Sequence, residues 1–257
     1  MNTSVSNKAA AQARRRPRRG LRWWSLISVT LGLVLIMGVT GTLAYLAGLT
    51  GYAPLALAFA PIALVLVIIF SWRRDWRSLG FRRPQATSSA RWVMLVALLP
   101  VSVISLSLGL DTGAPFLIEF AGLALLVAFV EESLFRGVLL RAFASSGWIL
   151  AVTVTSAAFA LAHSVTALSP AADLGGVIRT ILFAFLFGIV AALSTILTQS
   201  VLPAMVLRAA FNFVGFILTP RSAVLTDSVS IALCGALAVL LVVVRAREDS
   251  VSNRRGR

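Results

Sequence analysis

From Trp23 to Trp72 the chain carries no charged residue. As one helix that run would extend about 75 Å, more than twice a ~30 Å hydrocarbon core, and it far exceeds the ~7–15-residue apolar region of a secretory signal. It therefore reads as two membrane-crossing helices, near 24–47 and 52–72, divided where Gly48, Gly51 and Pro54 interrupt the helical pattern. Trp23, Trp24 and Trp72 then fall at the span ends, where indole prefers the membrane interface.

The rest of the chain continues in the same way. With 59% hydrophobic and 12% charged residues in 257, the composition departs from the ~25% charge of soluble domains. Further spans are expected over 92–110, 115–141, 148–166, 176–197, 201–219 and 227–244, with Ser145-Ser146-Gly147 turning the fourth span into the fifth. The predicted fold is all-α, a polytopic membrane bundle of about eight transmembrane helices. One membrane domain, 23–244, lies between a basic tail at 1–22, expected to be disordered for want of anything to pack, and a second basic tail at 245–257.

The net charge of +14 raises the possibility of nucleic-acid binding, but its distribution points elsewhere. Of 23 basic residues 22 are arginine; seven fall within Met1–Arg22, six within Arg73–Arg91 and five within Arg245–Arg257. That is the positive-inside pattern, and it predicts both termini and loop 73–91 in the cytoplasm, with the basic tails against anionic lipid headgroups and no nucleic-acid partner. Asp111, Asp173 and Asp227 then lie on the far side, with Arg179 and Arg221 the basic exceptions. The lone Cys234 excludes an intramolecular disulfide, and the single histidine, His163, excludes any metal site needing two histidines from one chain. Nothing in the sequence reads on oligomeric state.

Against this apolar background, Glu131-Glu132-Ser133-Leu134-Phe135-Arg136 is the polar exception. An ionised side chain at mid-bilayer costs ~2.5–3.5 kcal/mol or more, so such residues are rare and usually functional. Glu132 and Arg136 are i,i+4 and share a helix face, which predicts an ion pair; Glu131 is rotated ~100° from them and can face the bundle interior independently. Glu131 and His163 stand at equal spacing on either side of Gly147, so a hairpin about that glycine brings them to one depth. A carboxylate beside an imidazole can hold and deprotonate a water. Phe159 lies one turn before His163. In span seven Arg208 and Asn212 are again i,i+4, with Arg208 ~12 Å along the helix from Ser200; two such donors can stabilise an oxyanion. Each member also has a structural role open to it. The Glu132–Arg136 pair can be purely architectural, His163 interfacial, Arg208 a counter-charge to Glu131 or Glu119, and Asn212 helix-packing glue.

Glu-Glu-x-x-x-Arg at 131–136, Phe-x-x-x-His at 159–163 and Arg208-x-x-x-Asn212 resemble, in order and spacing, the three motifs of the CAAX protease and bacteriocin-processing (CPBP, or ABI) family. These are intramembrane proteases related to the CAAX prenyl endoprotease. The resemblance spans about 73–219, including the Trp76-to-Arg83 segment and the Leu202-Pro203 approach to the third motif. It implies an intramembrane endopeptidase in a multi-pass protein, of the bacterial plasma membrane, acting on a peptide or protein at the membrane. Glu131 and His163 would activate water, Asn212 and Arg208 would donate to the oxyanion, and Glu132, Arg136 and Phe159 would support the site. Arg208 stands where the family has its second histidine. A zinc ion held by one Glu and two His is therefore not expected, nor is any other cofactor, despite the family's frequent metalloprotease label. The alternatives are a catalytically inactive member acting as a membrane binding, immunity or scaffold protein, and, less in keeping with the pattern, a transporter relaying protons or ions through the buried charges.

Overall fold

A computed structural model of the chain describes residues 19–49, 51–85, 117–168, 172–217 and 223–255. Every regular element among them is helical: α1 Arg19–Leu46, α2 Ala53–Arg73, α3 Leu117–Glu132, α4 Leu140–Phe143, α5 Trp148–Ala162, α6 Leu174–Thr198, α7 Leu202–Ile217 and α8 Ala223–Arg255. A π-helical turn, Ser133–Leu139, joins α3 to α4, and a 3-10 turn, His163–Leu168, extends α5. Five of the helices are long and apolar enough to cross a membrane; α7 is apolar but shorter. The expected span 92–110 and most of the tail 1–22 lie outside the described residues.

The helix boundaries follow local chemistry. Gly48 and Gly51 adopt positive φ (67° and 65°) at the break between α1 and α2, and Pro54 sits in the first turn of α2, where a missing N–H costs nothing. Asp173 caps α6 by accepting from the Gly176 N–H at 2.8 Å. Two boundaries differ from expectation. Residues 19–22, assigned to the tail, form the first turn of α1, and α8 continues through Arg255, so that most of the segment 245–257 is helix. The polar extension of α8 is held by Arg245, which pairs with Glu248 at 3.6 Å and Asp249 at 2.8 Å, the i,i+3 and i,i+4 neighbours on one face.

The packing order closes a ring: α1 against α2, α2 against α3, α3 against α7, α7 against α6, α6 against α5, and α5 back against α1, with α8 on α6. α6 is the most enclosed long helix, with Phe187, Val190, Ala191, Ala192 and Leu193 fully buried. Large side chains at the rim, such as Leu35, Leu64, Ile118 and Val239, are more than half exposed. In water such a belt would be an aggregation liability, whereas in a bilayer it faces lipid. The segment before the expected third span is pinned to the α6–α7 turn. Val201 N–H donates to Gly80 O at 3.0 Å and Gln85 N–H to Thr198 O at 2.8 Å, while Ser200 Oγ donates to Arg82 O at 2.6 Å. Those bonds fix where α7 starts, and hence the depth at which Arg208 sits.

Candidate active site

Four helices, α3, α5, α6 and α7, supply the site. α3 ends in Glu131 and Glu132, both buried, as the π-helical turn begins. π-turns inside α-helical runs recur at functional sites, because the wider turn redirects side chains that an α-turn would stack. Arg136, on that turn, is 1% exposed. Its Nη1 donates to Glu132 Oε1 at 3.0 Å and its Nη2 to the Gly188 carbonyl of α6 at 3.2 Å. The guanidinium also lies 4.4 Å from the Phe159 ring centroid. One side chain thus ties the α3 end to α5 and α6. Gly188 permits the close approach: a Cβ there would sit 2.9 Å from Ser156 Cβ.

Glu131 and His163 meet, with Oε1 and Nε2 3.9 Å apart. Arg208 of α7 joins them. Its Nε donates to Glu131 Oε2 at 2.5 Å and its Nη2 to Glu131 Oε1 at 3.2 Å. The same Nη2 lies 2.9 Å from His163 Nε2, while His163 Nδ1 lies 2.9 Å from the Phe159 carbonyl. A carbonyl only accepts and a guanidinium only donates. The imidazole is therefore the Nδ1–H tautomer, and its Nε2 lone pair is engaged by Arg208. The Arg208 guanidinium further lies 5.1 Å from the Phe159 ring and 5.2 Å from the Phe187 ring. Phe159, fully buried, is thus in cation–π range of two arginines.

Asn212, one turn beyond Arg208, does not reach Glu131 or His163. It lines a cavity of about 190 Å³ with Arg208, Phe183 and Phe211, and its Nδ2 is buried without a hydrogen-bond partner. Arg179 and Asp227, which also line the cavity, pair at 2.9 Å. Arg208 separates this cavity from the Glu131–His163 pair. Glu119 is exposed, near the start of α3 and apart from the cluster. Among the described residues no cluster of three or more His, Cys, Asp or Glu side chains could hold a metal ion. The donor set also fits one poorly, since a guanidinium nitrogen stands between Glu131 and His163, where a shared cation would have to sit.

Three contributors were not singled out from sequence: the π-turn, Phe187 and Gly188. The Gly188 signal was available in principle, a small residue inside a long apolar span, which allows close helix approach. Phe187 reaches the site only through the packing of α6, and the π-turn has no local signature.

A polytopic helical bundle with a buried Glu–His–Arg centre and a second Glu–Arg pair beside it defines a membrane protein built around an intramembrane polar site. Residues 113–214 match the family described as Type II CAAX prenyl endopeptidase Rce1-like. That stretch carries all three motifs and is similar to the CAAX protease family; it is narrower than the 73–219 of the sequence resemblance. No curated protein matches the chain.

Proposed function

We propose that the protein is a CAAX-protease scaffold in the membrane whose hydrolytic centre is silenced by Arg208, leaving a role in binding a peptide or protein. The observation that supports this is the double engagement of one guanidinium, with both Glu131 oxygens and His163 Nε2 accepting from Arg208. General-base catalysis needs an acceptor free to take a proton from water. Removing one partner of a buried ion pair typically costs about 3–5 kcal/mol, so Arg208 is not readily set aside.

A second reading is the intramembrane endopeptidase with a Glu131/His163-activated water. Asn212 favours it, because its unpartnered Nδ2 and Arg208 line one cavity. A scissile carbonyl seated there would meet two donors. By drawing Arg208 off, it would free Glu131 and His163 to take the proton of an attacking water and return it to the leaving amine.

Purified native, Arg208→His and Arg208→Ala proteins, assayed on membrane-tethered peptides with and without a prenyl group, separate the two. A silenced centre gives no turnover in the native protein and turnover in Arg208→His. The endopeptidase reading requires native turnover that falls by ~10²–10³ in Arg208→Ala, the usual cost of one oxyanion donor. Chelator-sensitive native turnover would contradict both.

A further inference from the structure

A second cavity, of about 400 Å³, lies where α4 ends, α5 begins, α6 ends and the polar extension of α8 starts, and nothing in the protease-like centre uses it. Arg141, Gly147, Trp148, Gln199, Arg245 and Asp249 contribute to its wall. Arg141 is half-buried and makes no ion pair or hydrogen bond among the described residues, and its Nε is buried without an acceptor. Arg245 Nε is in the same condition, although its terminal nitrogens hold Glu248 and Asp249. Arg82 stands close enough to act on the Arg141 charge; its own bonds go to neutral groups, the carbonyl of Gln199 at 2.6 Å and the Gln199 side-chain oxygen at 3.2 Å.

The charge balance is therefore positive. Among the described residues Asp249 is the one acid in the cavity wall, and Arg245 pairs with it. That leaves Arg141 and Arg82 without a carboxylate partner among the described residues. The N-terminus of α5 adds to the same sign. Gly147, at φ 90°, provides no side-chain cap, so the positive end of the α5 dipole is uncapped by its N-cap residue. A guanidinium without an acceptor in a partly desolvated wall is costly, and a tetrahedral oxyanion with several acceptors relieves it.

We propose that this cavity binds a phosphate group, carried on the headgroup of an anionic phospholipid. The lipid source is favoured by position. Trp148 lies in the wall, and Trp23 packs edge-on against Phe143 at 5.1 Å beside it, so indoles mark this end of the bundle as an interface. Basic pockets between transmembrane helices are a recurrent headgroup site.

The test uses the full chain in detergent, titrated with short-chain phosphatidylglycerol, short-chain phosphatidylcholine or inorganic phosphate while the melting temperature is followed. Phosphatidylglycerol should raise it saturably and phosphatidylcholine should not. Arg141→Gln should move the midpoint at least tenfold higher, whereas Arg74→Gln, the same charge change at an exposed loop residue, should leave it in place. A saturable, Arg141-dependent shift by inorganic phosphate alone would uphold the phosphate site with the free anion as ligand. Should Arg141→Gln fail to fold, native mass spectrometry of the unaltered protein in an equimolar lipid mixture decides: one retained phosphatidylglycerol supports the site, and equal retention of both lipids overturns it. Equal responses of native, Arg141→Gln and Arg74→Gln proteins would also overturn it, since the basic tails would then account for the binding.

Discussion

Arg208 donates to His163: Nη2 lies 2.9 Å from Nε2, on the opposite side of the ring from the 2.9 Å bond between Nδ1 and Phe159 O. The imidazole has no nitrogen left to accept a proton from water. Because His163 is the chain's one histidine, ¹⁵N-histidine labelling gives an unambiguous readout. The expected spectrum is that of a neutral Nδ1–H ring with a hydrogen-bonded Nε2, and Arg208→Ala should shift the Nε2 resonance while Nδ1 stays put. An Nε2–H ring in the native protein would remove the latch.

Arg136 predicts a strict side-chain requirement. It donates to Glu132 and to the Gly188 carbonyl while lying over Phe159. Lysine offers a point charge and cannot reproduce the planar fork. Arg136→Lys should lower the melting temperature clearly, and Arg136→Met, which leaves Glu132 buried with no partner, should cost about 3–5 kcal/mol. Equal stability of native and Arg136→Lys proteins in reversible unfolding would show that the stacking and the second bond contribute nothing.

Gly188→Ala tests the helix contact itself. The added Cβ would meet Ser156 Cβ at 2.9 Å and Ser156 Cα at 3.0 Å. One of these atoms is backbone, so relief requires α5 and α6 to separate. Overpacking of this kind costs about 1–3 kcal/mol. Gly122→Ala, where nothing lies within 4 Å, should by comparison leave the melting temperature unchanged or slightly raised.

Much of the site was legible because helical spacing and turn position are local facts. The Glu132–Arg136 pair follows from i,i+4 placement, and the encounter of Glu131 with His163 from their equal distance to Gly147. The break at Gly48, Gly51 and Pro54 likewise follows from residues that no helix interior favours. What escaped depends on which helices become neighbours. That α7 packs on α3, and so delivers Arg208 to Glu131 rather than to Glu119, is set by the closure of the ring. The choice between an oxyanion donor and a counter-charge for Arg208 was open in the sequence for that reason. The π-turn has no composition of its own, since Ser133–Leu139 reads as ordinary helix.

The Glu131–Arg208 contact gives the most demanding prediction, because a buried ion pair behaves differently when one half is removed than when both are. Glu131→Gln keeps the shape but leaves Arg208, 6% exposed, without its counter-charge. Arg208→Leu leaves Glu131, 7% exposed, in the same position. Each single change should destabilise by about 3–5 kcal/mol, while the double variant Glu131→Gln/Arg208→Leu should regain much of that loss, since its remaining groups carry no charge. The coupling should exceed the ~0.5 kcal/mol within which independent sites add. A coupling near zero would mean that Arg208 moves freely between Glu131 and the cavity it lines with Asn212. That mobility is what the endopeptidase reading needs and what a silencing latch forbids, so the same cycle that measures the pair also discriminates between the two functions.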